Sequence, residues 1–137
     1  MKFEEIQKLW SGDCEIDETE LSQESVKIPQ LHNKYLIIFH DERLRLRTMR
    51  FDHSKLLKVK REYFSGRMDA TELEAYDWEP FQYKLLKADV QEYIDADDDI
   101  IEGKKKISLQ EEKVDYLEAI VKGLSNRGYL IKNAIDW

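Results

Sequence analysis

The sequence contains few of the residues that build disulfide-bonded, strand-rich or membrane-spanning proteins. It has one cysteine, five glycines and two prolines among 137 residues. Cys14 has no second cysteine for an internal disulfide, and few turn residues beside many Leu, Glu, Lys and Arg favour helices. Every apolar run is shorter than the roughly 18 residues of a membrane span, and Met1–Glu5 lacks a signal-peptide core. We therefore expect a soluble, cytoplasmic, all-α protein with one domain over residues 1–137.

Apolar residues recur at helical spacing through most of the chain. We expect a short helix from Phe3 to about Gly12. Pro29 lacks a backbone donor and is best accommodated in the first turn of a long central helix over residues 30–64. Gly66 follows this helix as its C-cap. Because such a helix is about 50 Å long, we expect it to be covered partly by shorter helices and partly by another subunit.

The second half of the chain predicts a less regular arrangement. We expect a loop or broken turn at residues 68–79, a helix over residues 81–94 and a final helix that starts near Ser108. The final helix carries apolar side chains at alternating intervals of four and three residues, a pattern of core packing and of helix association. We interpret these residues as an oligomerisation stripe: Leu117, Val121, Leu124, Ile131 and Ile135.

Charge is strongly separated along the sequence. The whole chain carries a net charge of −7, whereas residues 43–67 hold nine cationic side chains against Asp52 and Glu62. Aromatic residues follow these cations at the end of the segment. Cations neutralise phosphates, and aromatic rings stack on unpaired bases. The segment therefore predicts contact with a polyanion, and its candidate residues are Arg47, Arg50, Lys58, Lys60, Arg61, Tyr63, Phe64 and Arg67.

The same basic segment has two other interpretations. Tyr63 and Phe64 can be core residues while the cations form a solvated helix face. A basic helix can also bind an acidic protein partner. The concentration of positive charge in an otherwise acidic chain favours nucleic acid over both alternatives.

An acidic run resembles part of a calcium-binding loop but lacks two of its essential residues. Asp95, Asp97 and Asp99 have the spacing of the first three ligands. Ile100 stands where the loop requires glycine, and Lys106 stands where it requires a bidentate glutamate. We therefore interpret the run as an acidic turn or a helix cap.

No pattern in the sequence indicates catalysis. His32, His40 and His53 lack cysteines or carboxylates at zinc-binding spacing, and we expect them at the surface. The chain has no glycine-rich phosphate loop. We therefore expect a protein without enzymatic activity, bound metal or cofactor.

The segment Leu57–Asp69 resembles the UvsY family, the recombination mediators of T-even-type phages. It matches the family pattern of Leu-Lys, a small residue, a cation, two aromatics and Ser-Gly-Arg with an aspartate nearby. Weaker similarity continues at residues 86–89 and 127–132. The resemblance implies that Lys58 and Lys60 are the cations of this motif that bind single-stranded DNA.

The resemblance also implies a cellular role. A protein of this kind assembles as a ring-like homo-oligomer, a hexamer or heptamer, in the cytoplasm of the infected bacterial host. It binds single-stranded DNA and contacts the phage single-strand-binding protein and the phage recombinase. It then helps the recombinase to replace the single-strand-binding protein during DNA recombination, repair and replication. The alternative function is a non-enzymatic helical adaptor whose basic helix binds an acidic protein.

Overall fold

A computed structural model describes residues 1–136, and the chain folds into α-helices connected by short segments. The helices are α1 (Phe3–Asp13), α2 (Leu21–Phe64), α3 (Ala70–Tyr76), α4 (Lys87–Ala96) and α5 (Asp98–Asp136). Within residues 1–136 there is no strand, which confirms the all-α prediction and the long central helix. None of the helices in this part of the chain is long and apolar enough to cross a membrane.

The helices contribute to two compact units. The first unit comprises Met1–Leu46 and the described residues from Leu109 onward, and the second comprises Arg47–Ser108. Helices α2 and α5 each supply residues to both units.

Helix α2 continues through Pro29, so our placement of this proline in the first turn of a new helix is wrong. Helix α2 begins at Leu21 and contains Pro29 in its interior. An interior proline leaves the carbonyl four residues earlier without its helical hydrogen bond. Here that carbonyl belongs to Ser25, and both Ser25 and Pro29 are exposed, so water can replace the missing donor.

The end of α2 agrees with the sequence. Gly66 has a φ of 73°, the left-handed conformation that glycine adopts without steric cost. The Gly66 amide donates to the Tyr63 carbonyl at 3.1 Å, and the Arg67 amide donates to the Glu62 carbonyl at 2.9 Å. These bonds satisfy carbonyls of the last helical turn and confirm Gly66 as the C-cap residue.

The first unit has an apolar core built from α1, α2 and α5. Tyr35 is fully buried, its ring meets Trp10 edge-to-face at 5.2 Å, and its hydroxyl donates to Asp13 at 2.8 Å. An edge-to-face aromatic pair stabilises the fold beyond the burial of its surface area. The other buried apolar residues of this unit are Ile6, Phe39, Leu46, Val114, Leu117, Ile120, Leu124 and Ile131.

A buried carboxylate connects the helices of the first unit. Glu42 is 2% exposed and accepts hydrogen bonds of 2.9 Å from the Met1 amino group and from the Gln110 amide. Burial alone would raise the pKa of Glu42, but these bonds and the nearby charge of Lys113 hold it below its usual value. The carboxylate is therefore ionised at neutral pH, and its charge is compensated within the unit.

The predicted oligomerisation stripe lies largely inside the first unit. Leu117 and Leu124 are fully buried and Ile131 is 4% exposed, all within a single copy of the chain. Val121 is partly buried, and Ile135 is 45% exposed. The buried side chains already pack in their own subunit, so we revise their role from association to core packing.

The second unit differs from the sequence expectation in its connecting segments. Helix α3 occupies Ala70–Tyr76, where we expected a loop, because Asp69 caps it by accepting from the Glu72 amide at 2.8 Å. Helix α4 begins at Lys87 rather than at residue 81. The residues before it lie against a cluster of aromatic and aliphatic side chains instead of forming a helical turn.

Helix α5 starts ten residues earlier than predicted, and Asp97 is the reason. The Asp97 carboxylate accepts from the amides of Asp99 and Ile100 at 3.1 and 3.2 Å. These bonds satisfy free donors of the first turn of α5 and confirm the helix-cap interpretation of the acidic run. The start near Ser108 is wrong, since α5 runs from Asp98 through Gly103 without interruption.

The expected surface position of His53 is also wrong. Both ring nitrogens of His53 are buried, and within residues 1–136 neither has a hydrogen-bond partner. The ring lies so close to α5 that a Cβ atom added at Gly103 would be 2.5 Å from Nδ1 of His53. Glycine at position 103 therefore permits the close approach of this ring to the helix.

Candidate nucleic-acid interface

One face of α2 in the second unit presents cations and an aromatic ring to solvent. Arg47, Phe51, Lys55 and Lys58 are all exposed. At about 100° per residue these four positions fall within about 80° of one another around the helix axis. We call this set the basic face of α2. It follows from helical geometry alone, because the residues are separated by four, four and three positions.

Within residues 1–136 the cations of the basic face are not held in ion pairs. Within residues 1–136, Arg47, Lys55 and Lys58 make no side-chain hydrogen bond or ion pair with another residue. Most carboxylates of this acidic chain lie elsewhere in the sequence. The three charges therefore retain their full capacity to attract a polyanion.

Lys60 lies on the opposite side of the helix, which corrects our placement of this residue on the DNA-binding surface. Its side chain is buried, with Nζ 3.2 Å from Asp97 and 2.9 Å from Asp99. The ammonium also lies 4.2 Å from the centre of the Trp78 ring. Burial alone would lower the pKa of Lys60, but the hydrogen bonds to Asp99 and Asp97 raise it above the usual value. Lys60 is thus a charged internal residue that connects α2 to the start of α5.

The remaining predicted cations lie at the edges of the basic face or beyond it. Arg61 is exposed and donates to the Gln91 side chain at 3.0 Å. Arg67 is exposed in the turn that follows α2, and Arg50 is exposed one residue before Phe51. These arginines can add to the electrostatic attraction of the surface without sharing its central stripe.

Tyr63 and Phe64 belong to the core of the second unit, which corrects their expected role as stacking rings. Phe64 is 8% exposed and meets Phe81 edge-to-face at 5.0 Å. Tyr63 is partly buried, and the centre of its ring lies 5.2 Å from that of Trp78. Its hydroxyl donates to a backbone carbonyl. Both rings pack against other aromatic side chains of this unit, so the core interpretation applies.

Sequence reasoning missed Phe51 as a site residue and left Lys55 outside the candidate set. Phe51 is 69% exposed, whereas the two rings that we selected are buried or partly buried. The missed signal was the spacing, since Phe51 lies four residues after Arg47 and seven before Lys58. Residues with this spacing share a helix face, whereas Lys60 lies about half a turn away from Phe51.

The exposed side chains of the basic face are of types that bind a nucleic-acid strand. Within residues 1–136 there is no group of three histidines, cysteines or carboxylates close enough to hold a metal ion. The exposed cations can contact phosphates, and the ring can contact a base or another flat apolar group.

Comparison with known proteins agrees with this fold and chemistry. Residues 9–137 match the family described as "Recombination, repair and ssDNA binding protein UvsY". The chain is 23% identical over 136 residues to the recombination protein uvsY of Enterobacteria phage T4, covering 99% of this chain and 94% of that protein.

Solved structures show the same fold. A crystal structure of the bacteriophage T4 recombination mediator protein UvsY, in lattice type IV, matches with a TM-score of 0.84 and 22% identity, covering 99% of this chain and 96% of that one. A lattice type II structure of the same protein gives a TM-score of 0.82 and 23% identity, with 99% and 94% coverage.

Proposed function

Because the chain belongs to the UvsY family of recombination, repair and single-stranded-DNA-binding proteins, we propose that it binds single-stranded DNA through the basic face of α2. The single observation that carries this proposal is a row of exposed cations, Arg47, Lys55 and Lys58, which have no side-chain partner among residues 1–136. Each cation that neutralises a phosphate releases a condensed counterion, which is the main source of affinity for a nucleic-acid strand.

We further propose that the protein is a recombination mediator acting in the cytoplasm of an infected bacterium. It assembles with further copies of itself, so that several short basic faces hold one long strand. Linked weak contacts raise the overall affinity far above that of each contact alone. By holding the strand, the assembly weakens the grip of the phage single-strand-binding protein and presents DNA to the phage recombinase. It performs this exchange without a catalytic step of its own.

The DNA contact is tested by removing the three cations together. In the Arg47→Ala/Lys55→Ala/Lys58→Ala variant, the log–log salt dependence of single-strand affinity should lose about 0.7 for each phosphate contact removed. A matched control is the Lys104→Ala/Lys105→Ala/Lys106→Ala variant, which loses the same charge from exposed positions on α5. The control should keep the wild-type slope. Equal slopes for all three proteins would refute the proposed interface.

The mediator role requires a separate experiment. Recombinase is added to single-stranded DNA that is already covered by the single-strand-binding protein, and recombinase filament formation is measured over time. The wild type should shorten the delay before filaments form, and the triple variant of the basic face should not. If the wild type binds DNA but does not change this delay, the protein is a DNA-binding protein and not a mediator. Failure to bind DNA would instead favour the adaptor function with an acidic protein partner.

A further inference from the structure

Phe51 is a large apolar side chain held in solvent among cations. It is 69% exposed, although burying a phenylalanine ring is strongly favourable. Its neighbours on the basic face are Arg47, one turn before it, and Lys55 and Lys58, one and two turns after it. The ring therefore has positive charge on both sides along the helix axis.

We propose that Phe51 is a base-stacking residue of the single-strand interface, an inference that rests on the proposed function above. Surfaces that bind single strands combine cations for the backbone with an aromatic ring on which a base stacks. Arg47 can contact the phosphate on one side of a stacked base, while Lys55 or Lys58 contacts the phosphate on the other side. Phe51 thus takes the role that the sequence assigned to Tyr63 and Phe64, whose rings pack in the core.

The competing explanation is that Phe51 contacts a second copy of the chain. Ile37 and Leu44 precede Phe51 at intervals of seven residues and are also more than half exposed. The charges beside the ring argue against a contact of this face with the same face of a second copy. A contact of the basic face with itself would bring three cations of one copy against those of another, and like charges brought together cost free energy. A polyanionic strand instead gains from the same three charges.

The test compares side chains that keep or remove the ring. Phe51→Leu retains an apolar side chain without a ring, and Phe51→Tyr retains the ring. Tyr129→Leu is a matched control, since Tyr129 is 72% exposed and lies outside the basic face. Affinities for an oligothymidine strand and for a duplex of equal length are measured by fluorescence anisotropy over a range of salt concentrations, and the mass of each assembly is measured in parallel.

The Phe51→Leu variant should bind the single strand about fivefold or more weakly, because stacking on one base is worth at least about 1 kcal/mol. Its salt slope should equal that of the wild type, since no phosphate contact is lost. Duplex affinity should not change, because the ring cannot reach stacked base faces inside a duplex. Phe51→Tyr and Tyr129→Leu should both bind as the wild type does.

The possible failures can be distinguished. If the wild type does not bind single strands, both the proposed function and this inference are refuted. If the wild type binds and Phe51→Leu binds equally well, only the inference is overturned. If Phe51→Leu lowers the mass of the assembly, the ring belongs to a contact between subunits and the stacking role is rejected.

Discussion

Lys58 and Lys60 are two residues apart in one motif but occupy opposite environments. Lys58 is exposed on the basic face, whereas Lys60 is buried against Asp97, Asp99 and Trp78. Two positions on a helix differ by about 200° around its axis, so one faces solvent when the other faces the protein. Cations that are close together in a sequence motif therefore need not all be placed to contact phosphates.

Replacing each lysine by methionine separates the two roles. Lys60→Met should lower the free energy of unfolding by about 2 kcal/mol, because two carboxylates lose their cation. This figure is below that of a fully buried pair, since Asp99 is 62% exposed. Lys58→Met should change stability by less than about 0.5 kcal/mol and reduce the salt slope of DNA binding by about 0.7.

Urea unfolding and anisotropy titrations measure these two quantities on the same preparations. If Lys60→Met flattens the salt slope while stability is unchanged, Lys60 contacts phosphate after all. In that case its ion pairs with Asp97 and Asp99 must open when DNA binds.

The sequence predicted the local conformation of single residues better than it predicted their contacts with residues distant in the chain. Gly66 was identified as a C-cap from its own position, because the left-handed conformation depends on glycine itself. The burial of Lys60 could not be predicted in this way. It depends on Trp78 and Asp97, which lie 18 and 37 residues further along the chain and reach Lys60 only after folding.

Helices α2 and α5 both continue through residues that often end a helix. Pro29 lies inside α2, and Gly103, Gly123 and Gly128 lie inside α5. A prediction from local propensity therefore placed the starts of both helices too far along the chain. Tertiary packing and an effective cap outweigh a cost of about 1 kcal/mol for a glycine inside a helix.

The two glycines of α5 that differ most in their surroundings give an element-scale prediction. A Cβ at Gly103 would lie 2.5 Å from Nδ1 and 2.9 Å from Cε1 of His53, whereas a Cβ at Gly123 would have no neighbour within 4 Å. Gly103→Ala should therefore destabilise the protein by about 1–3 kcal/mol through overpacking. Gly123→Ala should stabilise it by about 0.5–1 kcal/mol, because alanine is the better helix former.

Thermal unfolding of both variants checks this difference in sign. Adding His53→Ala to Gly103→Ala removes the atoms that clash, so the double variant should lose less stability than the sum of the two single variants. Additive losses would show that the histidine ring is not the cause of the destabilisation.

At the scale of the whole molecule, one group of apolar side chains that could serve assembly is left exposed near the end of α5. Leu130 is 60% exposed and Ile135 is 45% exposed, while Leu124 on the same helix is fully buried. The sequence assigned Leu124 and Ile135 to one stripe because the spacing is regular. Spacing alone cannot distinguish a face that packs within the subunit from one that packs between subunits, since both bury the same kind of residue.

A pair of charge substitutions distinguishes the two faces. Leu124→Glu places a carboxylate in the core of the first unit, where an unpaired charge is very unfavourable, so helical circular dichroism should fall sharply. Leu130→Glu/Ile135→Glu adds charge at positions that a single subunit leaves in solvent, so the fold should persist. If these exposed residues join the proposed assembly, the double variant should sediment at a lower mass than the wild type and bind single strands with lower avidity. An unchanged mass would place the contacts of the assembly elsewhere on the surface, and a loss of helicity would mean that these residues support the subunit itself.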